Sequence, residues 1–182
     1  APDVLDFGIM IHDALQRMGE DEAMRRCTHA PTLAEFLTAH AARWATRRYG
    51  ASPALPIRMA LHAAQQRLEA AAEVQVQLVV AGWEIVAVEQ PFQNPIGNLL
   101  VRGKIDRIDR HRDTGALRVI DYKTSDTATD PARAHLAAAR DDTPGFARVS
   151  VGGKSKRWTD LQLPLYAILG CDSADTPPEP AY

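Results

Sequence analysis

The sequence predicts an α/β domain: a mixed central β-sheet flanked by helices, with a helical N-terminal part. Three observations predict it. Apolar residues recur at helical spacing through roughly residues 7–80. At Gly82 the pattern changes to short β-rich runs divided by turn residues. A closing run at 160–170 returns to a helical pattern. Helices, then a meander of strands, then a helix is the order of a layered domain, not of a doubly wound parallel one.

The elements follow in order. In residues 7–18, Phe7, Ile11, Leu15 and Met18 share a helical face, and Asp6 is placed to cap the start. Residues 32–48 and 56–80 read as two more helices, divided by Pro53 and Pro56. Thr32 and Glu35 have capping-box spacing. Strands are expected at 83–92, 99–110 and 116–123. Asn94-Pro95 with Gly97 marks the first turn between them, and Asp113-Thr114-Gly115 the second, which suggests an antiparallel hairpin. Residues 126–158 are long, polar and Gly/Pro-containing, with a short helix expected at 131–140. The Pro-rich 177–180 segment is expected to be extended.

A chain of 182 residues can build one sizeable core. One domain over 1–182 is expected, with a helical region over 1–80, a sheet region over 81–170 and a tail over 171–182. With 46% hydrophobic and 24% charged residues the composition is that of an ordinary globular protein. No apolar run approaches the roughly 20 residues of a membrane span. The first residues carry no signal-peptide pattern. A cytoplasmic location is therefore expected. The start at Ala1-Pro2-Asp3 suggests a processed or excised piece. Cys27 and Cys171 form no CxxC pair, whereas structural zinc and iron–sulfur clusters need about four ligands. No iron–sulfur cluster and two reduced thiols are the expectation.

Net charge is -2, but it is unevenly spread. Residues 102–157 hold 13 Lys/Arg against 8 Asp/Glu. Several of those acids are candidate metal ligands, so a bound cation would make this half more positive still. Such a field attracts phosphates.

The chemistry centres on Asp106 and on Asp121-Tyr122-Lys123. Residues two apart on a strand face one side, so Asp121 and Lys123 project together while Ile120 and Tyr122 point the other way. Asp106, on the neighbouring strand, can lie opposite them. Two carboxylates with open water positions suit Mg²⁺ or Mn²⁺, and an ammonium beside the ion suits a phosphate oxygen or an attacking water. On its own a D-x-K tripeptide is usually an exposed, salt-bridged strand edge.

The company of these residues carries the resemblance. Gly103-Lys104-Ile105-Asp106-Arg107-Ile108-Asp109 followed by Val119-Ile120-Asp121-Tyr122-Lys123 resembles the paired core motifs of RecB-like PD-(D/E)XK nucleases. Gly8-Ile9-Met10-Ile11-His12 resembles the family's G-x-x-x-H helix, and Gln162-Leu163-Pro164-Leu165-Tyr166 its Q-x-x-x-Y helix. Together the motifs span residues 8–166 in family order. The resemblance implies a restriction-endonuclease-like fold. It implies that Asp106, Asp121, His12 and the Tyr122 carbonyl hold the metal and that Lys123 activates water or stabilises the transition state. Gln162 and Tyr166, one helical turn apart, would support the site. Glu89 matches a glutamate often present at the end of the first strand. Plainer readings exist: Thr159 with Gln162 also has capping-box spacing, Tyr166 could be core, and Asp109 is read as structural, paired with Arg107 or Arg110.

The expected activity is a metal-dependent exodeoxyribonuclease that leaves 5′-phosphate and 3′-hydroxyl ends and acts in DNA recombination or repair, with a helicase subunit or fused helicase domain as partner. DNA is expected over Arg102, Lys104 and Arg107 and over the 148–157 loop with Arg148, Lys154, Lys156 and Arg157. The alternative is a non-catalytic nuclease-fold module that binds DNA or a partner protein. A further strand normally follows the Q-x-x-x-Y helix in this family, and the chain is expected to stop about where it begins.

Overall fold

The computed structural model describes residues 4–124, 135–162, 165–166 and 179–181. Its N-terminal layer contains α1 (Val4–Glu20), the short α2 (Glu22–Arg25), α3 (Ala30–Tyr49) and α4 (Leu55–Val80). The three long helices match the sequence expectation, but their caps do not. α3 starts at Ala30 with His29 as its cap, and the His29 ring accepts from the Thr32 N–H. Thr32 is thus inside the helix and its hydroxyl bonds the same imidazole. Asp6 lies in the first turn of α1 rather than before it. Its carboxylate accepts from the Tyr49 hydroxyl at 2.7 Å and pairs with Arg48, tying α1 to the end of α3.

Fourfold spacing explains how these helices meet. Leu33, Leu37, Ala41 and Ala45 form the buried stripe of α3. Ala64, Leu68 and Ala72 form that of α4. The alanines in both stripes let the two backbones approach closely. α1 buries Met10, Ile11, Ala14, Leu15 and Met18 in the same core. Its last turn presses on the sheet. A Cβ on Gly19 would lie 2.3 Å from Val88 Cγ1, so glycine is needed for that approach.

The main sheet has strand order β1-β2-β3-β7, where β1 is Trp83–Ile96, β2 Leu99–His111, β3 Leu117–Ile120 and β7 Glu179–Ala181. β1, β2 and β3 are antiparallel neighbours, and β7 joins β3 in parallel, so the sheet is mixed. β7 lies at 179–181, about where the sequence reading expects a further strand to begin. Between β3 and β7 come β4 (Leu136–Ala138), β5 (Arg148–Val151) and β6 (Lys154–Trp158), which form a second antiparallel sheet in the order β4-β6-β5. That sheet was not foreseen. The short helix expected at 131–140 is overturned over 136–138, which is strand; 131–134 lie outside the described residues. β5 and β6 are joined by Gly152-Gly153, both with positive φ, a two-residue turn of the kind that closes hairpins. In the closing helix Gln162, Leu165 and Tyr166 are helical, and 167–170 lie outside the described residues. Cys27 is a free thiol; Cys171 is likewise outside.

A second core fills the far side of the sheet with Ile105, Ile108, Val119 and Tyr166. Ile105 and Ile108 share it although an odd step separates them. Strict alternation would put them on opposite faces. The pleat therefore slips between them, and the slip coincides with Glu89, whose φ is +51°, and with a gap in the β1–β2 ladder between Val88↔Arg107 and Gln90↔Ile105.

Candidate active site

β3 ends at Ile120, so Asp121, Tyr122, Lys123 and Thr124 follow the strand rather than lie within it. The alternation nonetheless persists. Tyr122 packs against the helical core, whereas Lys123 Nζ meets Asp121 Oδ2 at 2.5 Å. The Tyr122 N–H donates to Asp106 Oδ2 at 2.8 Å. This backbone-to-carboxylate bond fixes the segment after β3 to the middle of β2 and sets the two acid-bearing segments side by side.

α1 brings the imidazole. His12 Nε2 is 3.0 Å from the Tyr122 carbonyl oxygen, and its Nδ1 is 3.7 Å from Asp106 Oδ2. The ring stands edge-on to Tyr122, with centroids 5.8 Å apart. Gly8 is one turn earlier on the same face of α1. A Cβ there would approach Thr124 Oγ1 to 3.3 Å. The glycine of G-x-x-x-H thus lets the helix lie against the segment after Lys123, and the histidine four residues on reaches the site.

Sequence reasoning missed one residue at this junction. Arg67, on α4, donates from Nη1 to the Thr124 carbonyl at 2.5 Å. Its guanidinium lies 4.9 Å from the centre of the Phe7 ring. Nothing in the sequence distinguishes it from the other polar residues of that helix; the contact exists only through tertiary packing.

Glu89 enters the site because of the slip in the pleat. Its left-handed backbone is costly for a residue with a side chain. Among the described residues, His12, Glu89 and Asp106 offer ligand atoms that all lie within 4.8 Å of one another. A nitrogen and two hard carboxylates fit a divalent cation. The Asp121 carboxylate is not one of that group. It is held by Lys123 and by Gln162, whose Nε2 donates to Asp121 Oδ1 at 2.7 Å. Glu89 also pairs with Lys104, two residues before Asp106 on β2. Glu89 and Asp106 line an open cleft of about 650 Å³ together with Gly8, Ile9, His12 and Lys104 among others, whereas Asp121 is buried behind it.

The electrostatics follow from this crowding. Burial pushes the Asp106 carboxyl above its ordinary value, against the Tyr122 N–H and His12, which favour its charged form. Asp121 and Glu89, as neighbouring acids, add to the rise. The bond to Glu89 holds Lys104 in its charged form above the usual lysine range. Burial raises the Tyr166 phenol.

Gln162 fills its hydrogen-bonding capacity here. Its Oε1 accepts from Lys123 Nζ at 2.9 Å, and its Nε2 donates to Asp121 and to the Tyr166 oxygen, each at 2.7 Å. The acceptor for its N–H is Asp160, at 2.8 Å. Its side chain therefore serves the site and closes no capping box with Thr159. Tyr166 is buried in the second core and stacks edge-on with Phe92, 5.6 Å away. It is both core and support. Gly103 makes room for that ring, since a Cβ there would come within 2.5 Å of Phe92.

The expected DNA-contacting residues divide. Arg102 and Lys104 are exposed on β2. Arg107 is 3% exposed, and its guanidinium grips both oxygens of Asp109 at 2.5 and 2.7 Å. It is a structural ion pair, so the expectation that it meets DNA is corrected. Asp109 has the structural role read from its position. Arg148 donates to the carbonyls of Thr143, Arg140 and Asp141, which ties down its own loop. Lys154 and Lys156 share one face of β6; Arg157, next along the strand, takes the other and lies opposite Arg148. The four do not form one basic surface.

Acids, an imidazole and a lysine gathered over a cleft at a sheet rim are the equipment of metal-assisted phosphoester hydrolysis. The family profile of the PD-(D/E)XK nuclease superfamily matches residues 1–181, and the chain belongs to that superfamily. Comparison with curated proteins gives no match. Nucleases of this superfamily are phosphodiester hydrolases that use divalent metals, and the His12, Glu89 and Asp106 group is a candidate holder for one. No described helix is long and apolar enough to cross a membrane.

Proposed function

We propose that the protein is a Mg²⁺- or Mn²⁺-dependent deoxyribonuclease of the RecB-like exonuclease branch, cutting DNA in recombination or repair alongside a helicase subunit or domain, in the cytoplasm. One observation carries the reading: His12 touches the Tyr122 carbonyl and stands beside Asp106, so the imidazole motif and both core motifs meet at one point.

His12, Asp106 and the Tyr122 carbonyl would hold the cation, with Glu89 beside them and Asp121 completing the acidic wall. When bound, the ion lowers the pKa of a water and offsets charge on the scissile phosphate. The chain's own groups do the rest. Gln162 holds Lys123 and Asp121 together, so the ammonium is oriented before substrate arrives. Lys123 is 43% exposed, within reach of a phosphate oxygen or of the attacking water. Arg102 and Lys104 would steer the strand toward the cleft. The products would carry 5′-phosphate and 3′-hydroxyl ends.

The test is cleavage of end-labelled single- and double-stranded DNA with Mg²⁺ or Mn²⁺, with and without EDTA. Metal-dependent cleavage that Asp106→Ala and Asp121→Ala abolish is the expected result. Cleavage that survives chelation, or an Asp121→Ala protein as active as wild type, would refute the enzyme. DNA binding without cleavage under every condition would favour the non-catalytic module.

A further inference from the structure

Lys104 has a second role that its place on the DNA-facing strand does not suggest. It lines the same cleft as Asp106, two residues away on β2 and about 6.6–6.8 Å along the strand. Its ammonium bonds the Glu89 carboxylate, one of the two acids in the His12, Glu89 and Asp106 group. The Glu89 side chain is only 16% exposed, while that of Lys104 is 59% exposed. The acid is thus fixed at the floor of the cleft, and the lysine reaches it from solvent on a flexible stem.

We propose that Lys104 is a tethered counter-ion: it neutralises Glu89 while the metal position is empty and is displaced toward a DNA phosphate when a divalent cation binds. This rests on the metal-centre reading above. Two carboxylates close together in a partly buried site repel one another and need a cation. A side-chain ammonium on a neighbouring residue supplies one. A divalent ion, doubly charged and able to coordinate both carboxylates, competes for the same oxygen atoms. Once released, the lysine swings on its stem at the mouth of the cleft, where a backbone phosphate would lie. Metal binding and polynucleotide binding then favour one another, and the coupling is reciprocal.

Titration calorimetry with Mn²⁺ alone tests the displacement, with no turnover involved. Lys104→Met should bind Mn²⁺ about two- to fivefold more tightly than wild type, the scale of an exposed ion pair. Lys104→Arg, which keeps the charge, should stay near wild type. Arg102→Met, one pleat further out, reports the general field alone and should gain less than about twofold. Binding by wild type with no gain in Lys104→Met, or an equal gain in Arg102→Met, overturns this proposal alone. Binding by neither wild type nor Lys104→Met overturns the metal centre and the proposal with it. A second measurement follows the released lysine. In a Lys123→Met background, which spares the DNA, Mn²⁺ should steepen the salt dependence of oligonucleotide binding by about one phosphate contact. Adding Lys104→Met should remove that increment, and an unchanged increment would count against the proposal.

Discussion

Glu89 holds a left-handed backbone that most residues avoid, at a break in the β1–β2 ladder distinct from the register shift between Ile85 and Ala87, and the acid turns into the cleft. Such outliers persist where function over-determines them. Glu89→Gly should therefore remove a ligand and relieve about 1 kcal/mol of backbone cost together. The expected outcome is unchanged or raised thermal stability with weakened Mn²⁺ binding, measured by calorimetry on the same sample. A fall in both would mean that the side chain, through Lys104, stabilises the strand more than its backbone strains it. Arg107 behaves in the opposite way. With Asp109 fully buried beneath it, Arg107→Met leaves a naked carboxylate and should cost about 3–5 kcal/mol in urea denaturation. Adding Asp109→Leu should recover much of that loss.

The helices hold the site by close approach. Gly19 against Val88 and Gly8 against Thr124 fix α1 at its two ends, one on the sheet and one on the motif segment. Gly19→Ala should destabilise by about 1–3 kcal/mol, and Val88→Ala in the same chain should restore some of it, because the clash is with one methyl group. Arg67 contributes from α4. Arg67→Met should loosen the 121–124 segment and lower kcat more than it raises KM, if the protein cleaves DNA as proposed. The long helices were legible because their apolar periodicity is strong, and β1 and β2 because Gly82, Gly97 and the 113–115 turn bound them, although Asn94 and Pro95, read as turn residues, pair within β1. The second sheet was not legible. Its strands are three to five residues long and its polar side chains mask any alternation. At the candidate site, motif company singles out His12, Asp106, Asp121, Lys123 and Gln162, and the fold brings them together. Glu89 as a near neighbour of His12 depended on a slip in the pleat that strict alternation forbids, and Arg107 was misplaced because sequence cannot tell a strand residue in the core from one at the rim.

Across the whole molecule, pH and metal act on one balance. Burial raises the Asp106 pKa, so its neutral form is favoured in the fold. The stability it contributes is present below its unfolded value and is lost as pH rises through the raised pKa. A bound cation reverses the preference by favouring the carboxylate. The rise in melting temperature on adding Mn²⁺ should accordingly be larger at neutral than at acidic pH, as read by thermal melts across a pH series. Asp106→Asn should melt higher than wild type without metal at neutral pH and gain nothing from the ion.

The parallel pairing of β7 with β3 gives this balance a time order. Residues 179–181 hydrogen-bond to 118–120, so the strand that delivers Asp121 has its outer neighbour only after some sixty further residues have been made. On a ribosome, the segment bearing the acid and the lysine emerges long before its flank is covered. A growing chain therefore passes through a stage in which the helical layer and the β1–β2 hairpin can form while β3, which leads into the candidate site, still has an open edge.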